Sequence, residues 1–507
     1  MMNRRLSIIA IALGALAIIG HLAGLVLPTA SWFFSSGKVF GWLSSLLLIT
    51  GGVLGLRFLP PEIRWTPVTL QRFRRFRSIQ RGWWSFRILL ALVAIAMLDQ
   101  MIVGKRALMV RCDGKTYFPA FVTKRHPAKE FGLEGEQEVN YRELKQKLTA
   151  SRRGFALMPL VPWDPVLDSD TAQSITLEQR EGRWFQPGGN EPFSGRAKTY
   201  YADAPTQKHT DTRFRKGVAD GESLGYAKNG GLAFSAFYKA GEKQREKWTG
   251  EMPPEEFLKA AATNYQVALY PPIPPLWKAR HYLGTDSRGW DVAAQIFGGW
   301  QINLKAIVLY LLFTYSLGIT IGALMGFFGG FFDLGMQRII EIVEELPFLY
   351  IVMIVVSIVS VAEMNLVILL GVICLFSWTG LTYSLRAMAY KEKERDYISA
   401  ARLQGAGTWR ILTRYLLPNM LATLVTYIPF SVAGIIASLT ALAFLGFGLP
   451  ETYPQWGWLF DDGTNHLGAL WISVSMFAAM VFILLLVTFV GEALREAFDP
   501  KKFTTYQ

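Results

Sequence analysis

Few residues of this chain could do chemistry, and most of them are poorly spaced for it. His209 and Asp211 stand two apart in the string "HTDT". On an extended strand such positions share a side, so a catalytic or metal-holding pair is conceivable. A solvated loop is the blander account and outweighs it. No G-x-x-x-x-G-K-[ST] phosphate loop occurs, so ATP has no binding site of that kind here, and no G-x-S-x-G or H-E-x-x-H pattern appears. Of the two cysteines, Cys374 lies in an apolar run and Cys112 in a polar stretch. A disulfide is not expected, and a zinc site on paired cysteines is excluded. The five His residues are scattered. Acids beside apolar runs are default functional candidates. Here Asp99, Glu341, Glu344, Glu345 and Glu363 fall near the ends of those runs, where anchoring at the interface is the simpler role. They form no continuous proton relay, which argues against ion-driven transport. No catalytic, cofactor-binding or metal-binding residue is assigned.

One polar stretch is more informative. It reads "RDYISAARLQGAGTWRILTRYLLPN" from 395 to 419. The small residues Ser399, Ala400 and Ala401 precede Gly405 by about one helical turn. Pro418 follows Gly405 by thirteen residues. This spacing predicts a short helix, a bend that Gly405 permits, a second short amphipathic helix, and a Pro that starts the next membrane helix. Small side chains let a partner surface approach closely. Such an elbow suits docking into a cleft of another protein; an ordinary basic connector is the alternative.

The elements that hold this loop are apolar. The 507 residues are 51% hydrophobic and 18% charged, with a mean hydropathy of +0.25. Soluble domains carry about 25% charged residues, so the composition is that of a polytopic membrane protein. A crossing helix needs roughly 20 apolar residues. Residues 6–27 and 39–56 form a membrane hairpin, since a second run follows the first too closely for a cleaved signal peptide. The linker 58–87 is Arg-rich with Glu62 its single acid, and short basic loops stay in the cytoplasm. Flanking apolar runs make nucleic acid an improbable partner for it. The next crossing is 88–103, with Asp99 near the outer surface. Residues 104–300 hold no spanning run and lie outside. Within them, 168–256 is poor in aliphatics and is expected to be irregular, and "YPPIPPLW" (270–277) to be an extended strap. Further crossings are expected at 306–332, 346–362, 364–385, 420–444 and 467–491, giving eight helices in all, two plus six. Both termini are then cytoplasmic, as is the loop 390–418, and the tail 493–507 adds basic residues inside.

The elbow resembles the EAA loop of ABC-transporter permease subunits. Ala400, Ala401, Gly405, Leu417, Pro418 and Asn419 match that pattern, and Ser399 stands where the family usually has Glu. "LGTDSRGWDVAAQIFGG" (283–299) resembles the motif of dipeptide and oligopeptide importers before their second core helix, through Asp286, Gly289 and Asp291. "LTALAFLGFGLP" (439–450) resembles their segment after the fifth. "RCDGKTYFPAF" (111–121) and "GEALREAFDPKK" (491–502) are similar to the YejE-type permeases of an importer of peptides and microcin C. The resemblance implies an all-α type I importer membrane fold of six core helices. The hairpin 1–57 and a large extracytoplasmic insertion at 104–300 would be added to it, the first core helix being 88–103 and the rest lying in 301–492. It also implies the partners: a second homologous permease in a heterodimer, ATP-binding subunits that hold ATP and Mg, a periplasmic binding protein, a peptide substrate and the inner-membrane bilayer. This chain itself would hold no cofactor. Alternatives are a permease for nickel or a glycoside, or a membrane-anchored extracytoplasmic enzyme.

Overall fold

The computed structural model describes residues 2–22, 38–58, 67–122, 124–133, 137–151, 154–169, 173–187, 189–204, 207–250, 252–359 and 364–498. The expected end of the first helix at 27, Glu62, Glu363 and the tail beyond Phe498 lie outside the described residues. The chain forms two units: Met1–Asp168 with Pro274–Asp286 and Trp290–Gln507, and Ser169–Ile273 with Ser287–Gly289.

The first unit begins with α1 (Met2–Leu22) and α2 (Lys38–Phe58). They pack closely because small residues line their seam. A Cβ at Gly14 would lie 2.9 Å from the Ser45 carbonyl oxygen, and one at Gly52 2.8 Å from that of Ser7. Helices α3 (Pro67–Ser78) and α4 (Gln80–Met97) meet at a 91° bend. A single turn, α5 (Asp99–Ile102), follows. Asp99 is buried and accepts from Gln301 Nε2 at 3.2 Å, which makes it a packed, hydrogen-bonded group.

Between α5 and the next long helix the chain folds a small α/β element. Strands β1 (Met109–Cys112), β2 (Lys115–Tyr117) and β3 (Gly154–Leu157) form an antiparallel sheet in the order β2-β1-β3. Helix α6 (Tyr141–Ser151) covers it through Leu144 and Leu148. Cys112 is buried in this core, and Cys374 is buried among the long helices; neither forms a disulfide.

Helix α8 (Val292–Phe328) is 37 residues long and starts well ahead of the expected 306. Its polar first turns mask it in a hydropathy profile, yet each polar group has a partner. Gln301 Nε2 donates to the Ala96 carbonyl at 3.0 Å, and Asn303 Nδ2 to Gly299 at 3.0 Å. After it come α9 (Gly330–Glu345), α10 (Phe348–Ile358) and α11 (Leu366–Lys393). Then follow α12 (Asp396–Leu403), α13 (Thr408–Arg410), a π turn (Ile411–Leu416) and α14 (Leu417–Leu424). Last are α15 (Ile428–Phe444), α16 (Trp456–Asn465) and α17 (Leu470–Phe498). Among the described residues, α8, α11 and α17 are long and apolar enough to cross a membrane, and the bent α3–α4 pair passes the same test only when its two arms are counted together. The expected crossing at 420–444 is broken by turns at 425–427 ahead of Pro429. The 17 residues of α15 rise only ~25 Å, short of a core about 30 Å thick.

Helices α8 and α11 form a close seam. Gly318, Gly322 and Gly326, four apart, face Leu381, Leu385 and Ala389. A Cβ at Gly326 would stand 2.4 Å from that of Ala389 and 2.6 Å from the Arg386 carbonyl oxygen. The seam continues into an ion pair. Both oxygens of the buried Asp333 on α9 accept from the Arg386 guanidinium at 2.5 Å, and Tyr390 Oη donates to Oδ2 at 2.8 Å.

The second unit corrects the all-α expectation. Between residues 169 and 273 it holds a seven-stranded sheet in the order β11-β10-β9-β8-β7-β12-β4, antiparallel at every pairing. The strands are β4 (Gln173–Thr176), β7 (Gly195–Tyr200), β8 (Lys208–Arg215), β9 (Val218–Tyr226), β10 (Leu232–Lys239), β11 (Glu242–Trp248) and β12 (Gln266–Leu269). A separate hairpin pairs β5 (Glu178–Arg180) with β6 (Arg183–Phe185). Short helix α7 (Pro254–Lys259) adds Phe257 to a core with Ala233, Phe234, Ala236 and Met252. The region expected to be irregular is therefore ordered sheet. Beside Ile175, Phe214, Phe234 and Val267, many of its buried positions carry Ala, Thr and Ser, with Thr212 Oγ1 and Ser223 Oγ bonded at 2.7 Å. The run after β12 has neither helix nor strand at 270–275 and includes a cis Pro271–Pro272 bond.

Because the α8–α11 seam has no room for a side chain, Gly326→Val should lower the melting temperature of the purified full-length chain by at least about 3 °C through overpacking. Gly371→Val, at a position with nothing within 4 Å of a Cβ, should change it little. Equal melting of the two variants would contradict the seam.

Candidate coupling site

The loop singled out by its small residues sits on a buried foundation. Ile398, Ile411, Leu412, Leu416, Met420 and Leu424 pack with Ala323 and Phe327 of α8 and with Leu385 and Ala389 of α11. One face of the amphipathic α12 is thereby fixed to the ends of the two seam helices. Ile398 and Ala401 face inward, while Ser399 and Ala400 are exposed.

Helix α12 ends as a left-handed bend. Gly405 has φ 75°, its N–H donates to the Arg402 carbonyl at 2.9 Å, and Ala406 N–H donates to Ala401 at 3.0 Å. Only a residue without a Cβ takes that φ without cost. Nothing lies within 4 Å of a Cβ built there, so the bend itself demands glycine. The chain then turns back through the π turn. Pro418 follows it and lacks the N–H that an α-helix would need. The wider π turn precedes that residue, which is where such defects gather. Asn419 Nδ2 donates to the Tyr415 carbonyl at 2.8 Å and to Tyr397 Oη at 3.0 Å, and Tyr397 Oη donates to Glu392 Oε2 at 2.7 Å. This chain ties α14 back to α12 and α11 and closes the elbow. Leu417 is half-buried and Pro418 exposed. Pro418 therefore lies inside a helix, in place of starting the membrane helix; Pro429 takes that role at the first turn of α15.

Two large apolar side chains flank the bend in solvent: Leu403 is 91% and Trp409 74% exposed. They are the feature the small-residue pattern did not single out. The signal was present, because an amphipathic segment that buries Ile398 and Ala401 cannot also bury Leu403 on its far side. The Asp333–Arg386–Tyr390 clamp was missed as well, since its members lie far apart in sequence.

The second motif stands at the other end of α8, some ~55 Å away by helix length. Asp291 caps that helix: Oδ1 accepts from Ala294 N–H at 2.7 Å, and Oδ2 meets His281 Nδ1 at 2.7 Å. Both side chains are fully buried, and the His281 ring stacks on Trp163 at 4.1 Å. Asp286 is also fully buried; Oδ1 accepts from Trp290 N–H at 2.8 Å and Oδ2 from Gln295 Nε2 at 3.0 Å. Gly289 has φ 81°. Asp286 and Asp291 thus build the start of α8, and the geometry places them in a helix cap, not in a solvent-facing site. The third motif forms the turn after α15. There Gln455 staples Leu449 through both backbone groups, at 2.9 and 2.7 Å, and Trp456 Nε1 donates to the Ile296 carbonyl at 3.0 Å.

His209 and Asp211 do share a face of β8, but neither is poised for catalysis. His209 stacks on Phe257 at 4.2 Å and meets Tyr201 edge-on, and burial lowers its pKa and favours the neutral ring. Asp211 pairs with Arg196 at 3.7 Å. Among the described residues no group of three or more His, Cys, Asp or Glu could hold a metal ion.

Comparisons with known proteins agree with this arrangement. Residues 318–504 match the family described as binding-protein-dependent transport system inner membrane component, and so include α11, the elbow and α17. The peptidoglycan transport system permease protein YejE of Agrobacterium fabrum is 29% identical over 444 residues, covering 87% of this chain and 96% of that protein. The inner membrane ABC transporter permease protein YejE of Escherichia coli is 29% identical over 441 residues, covering 87% and 99%. The oligopeptide transport system permease protein OppC of Lactococcus lactis is 32% identical over 227 residues, covering 44% of this chain and 76% of that protein. A chain with this elbow, these helices and these relatives belongs to the inner membrane permease components of binding-protein-dependent ABC transport systems.

Proposed function

We propose that this chain is the membrane-spanning permease subunit of an ATP-driven peptide importer, supplying half of the translocation path. The observation that carries the reading is the elbow: Leu403, Gly405 and Trp409 project from a foundation fixed to the ends of α8 and α11. An exposed apolar pair on a rigid base is what a docking partner needs, because buried aromatic and aliphatic anchors dominate interface energies. The partner is an ATP-binding subunit, which holds the ATP and Mg that this chain has no loop to bind. A second homologous permease completes the path, and a periplasmic binding protein delivers the peptide. The names of the YejE and OppC relatives support peptide-class cargo over nickel or a glycoside.

Orientation follows from charge. The Arg-rich α3 packs at the C-terminal end of α17, by Val490, Ala493 and Ala497. Arg495 of the same turn lies 4.7 Å over the Phe430 ring at the start of α15, next to the elbow. Both basic segments therefore gather at one end of the bundle, which the positive-inside tendency assigns to the cytoplasm. Residues 104–300 are then periplasmic and both termini cytoplasmic.

In this reading, ATP-driven closure of the docked subunits pulls on the elbow, and the α8–α11 seam passes the movement along the helices. Leu403→Asp with Trp409→Asp should reduce uptake of labelled tri-alanine by at least about tenfold, given that interface anchors contribute 2 kcal/mol or more. The amount of chain in the membrane should not fall, since both residues are solvent-exposed. Gly405→Val should give a smaller loss, as a β-branched residue at that φ costs about 1–2 kcal/mol. Unchanged uptake and unchanged co-purification of the ATP-binding subunit in the double variant would refute the docking role.

The clamp gives a separate expectation. Asp333→Asn keeps the shape but leaves Arg386 without its carboxylate; losing one partner of a buried pair costs about 3–5 kcal/mol. It should lower the melting temperature of the full-length chain more than Glu341→Gln, whose partner Arg338 is exposed. Equal melting of the two variants would contradict the clamp.

A further inference from the structure

The helix α3 (Pro67–Ser78) meets the span α4 (Gln80–Met97) at 91°. Taken with the crossing expected at 88–103, α4 is the spanning arm of this bent pair, and α3, at right angles to it, then runs along the membrane surface. Its inward side is occupied: Phe76 is buried with Val490, Ala493 and Ala497 of α17, and Gly82 lies so close to α17 that a Cβ would stand 2.1 Å from that of Ala493. Another face is open. Leu70, Phe73, Arg74 and Arg77 stand at i, i+3, i+4 and i+7 and therefore share one side of the helix; all four are exposed.

That face mixes apolar and cationic groups, and the described part of α3 carries no acid in its first turn. Arg81 pairs with Glu492 at 3.5 Å. Arg74 and Arg77 have no carboxylate within ion-pair distance among the described residues. Arg77 and Arg87 lie over the Trp83 ring at 5.8 and 5.6 Å, and Arg87 lies 5.1 Å over Trp84. Tryptophans with guanidinium groups on their faces, at the start of a span, mark the headgroup level of a bilayer. A soluble protein partner would be met by an apolar centre with a polar rim. Interleaved Arg and Leu/Phe on a helix lying in the interface plane fits phospholipid instead, with acyl chains taking Leu70 and Phe73 and phosphates taking Arg74 and Arg77.

We propose that α3 is a binding site for anionic phospholipid, in which Arg74 and Arg77 hold the phosphate headgroups and Leu70 and Phe73 enter the acyl layer. The inference rests on the membrane-spanning reading but not on the identity of the cargo. Bound lipid would fix the foot of α17 and, through Arg495 and Phe430, the start of α15.

The test uses the full-length chain, purified with its partner subunits and placed in nanodiscs of phosphatidylcholine with a minor fraction of phosphatidylglycerol or cardiolipin. Native mass spectrometry counts the retained anionic lipid. The double variant Arg74→Gln/Arg77→Gln should lower its affinity at least about tenfold, since each basic residue at an anionic surface is worth roughly fivefold. Arg74→Lys/Arg77→Lys should retain it, and Arg213→Gln/Arg215→Gln on β8 should not matter. If the glutamine variant proves unstable, a salt titration of the natural chain serves, and retention should fall as salt rises. Full retention by the glutamine variant, or salt-independent retention by the natural chain, overturns the proposal. So does crosslinking of Phe73→Cys to a protein subunit in place of lipid. None of these readouts depends on transport, so a failure here is distinguishable from a failure of the importer reading.

Discussion

The close approach of α8 and α11 is the constraint on which the rest of the first unit depends. Three glycines at four-residue spacing remove the side chains that would hold the two backbones apart. Lipid offers no hydrophobic driving force between helices, so packing of this kind must come from van der Waals contact along small residues. The seam is then locked at one end by the buried Asp333 carboxylate against Arg386 and Tyr390. At its far end, α8 is fixed by the Asp291 cap, the Asp286–Gln295 bond and the Trp456 indole. A helix held so firmly at both ends behaves as a rod. The elbow is packed on the end of that helix, through Ile398, Ile411 and Leu416 against Ala323 and Phe327.

The polar groups within the helical unit follow the same logic. Asn303, Gln301, Gln295, Asp99 and Asp333 are buried, and each has a hydrogen-bond partner. An unpartnered polar group in such surroundings costs several kcal/mol. Their presence lengthens α8 beyond the run that hydropathy alone marks out. They also fix rotational register, because each bond is made at only one rotation of its helix.

How much of this was legible in the residues varied with the kind of signal. The elbow was visible in the small residues before Gly405 and in Pro418, because a left-handed bend and a missing N–H leave a mark on the sequence. The second and third motifs were visible as strings, but their structural work was not. Asp286 and Asp291 act by capping with His281 and Gln295, and those pairings appear only once the chain is folded. Apolar runs mark helix extents only where the helix is apolar, so the polar first turns of α8 carry no such mark, and the turns at 425–427 are as apolar as their surroundings. The sheet of the second unit was missed for a different reason. Many of its buried positions are Ala, Thr and Ser, with the Thr212 and Ser223 hydroxyls bonded to each other across β8 and β9. An alternation of small residues carries little hydropathy contrast, although its period of two was there to be counted. The seam of Gly318, Gly322 and Gly326 had a plain spacing signal that attention to long apolar runs obscured.

On the proposed reading, the exposed elbow meets an ATP-binding subunit at the cytoplasmic end of the bundle. The two native thiols, Cys112 and Cys374, are buried, so a single Leu403→Cys substitution provides the only reactive thiol expected on the described surface of the natural fold. In inverted membrane vesicles stripped of the ATP-binding subunit, impermeant maleimide should reach this position; a maleimide–benzophenone attached there should join it to that subunit once the subunit is rebound and illuminated, and in the assembled transporter the thiol should be protected. Labelling from the periplasmic face of intact cells, or a free and uncrosslinked thiol in the assembled transporter, would contradict the account.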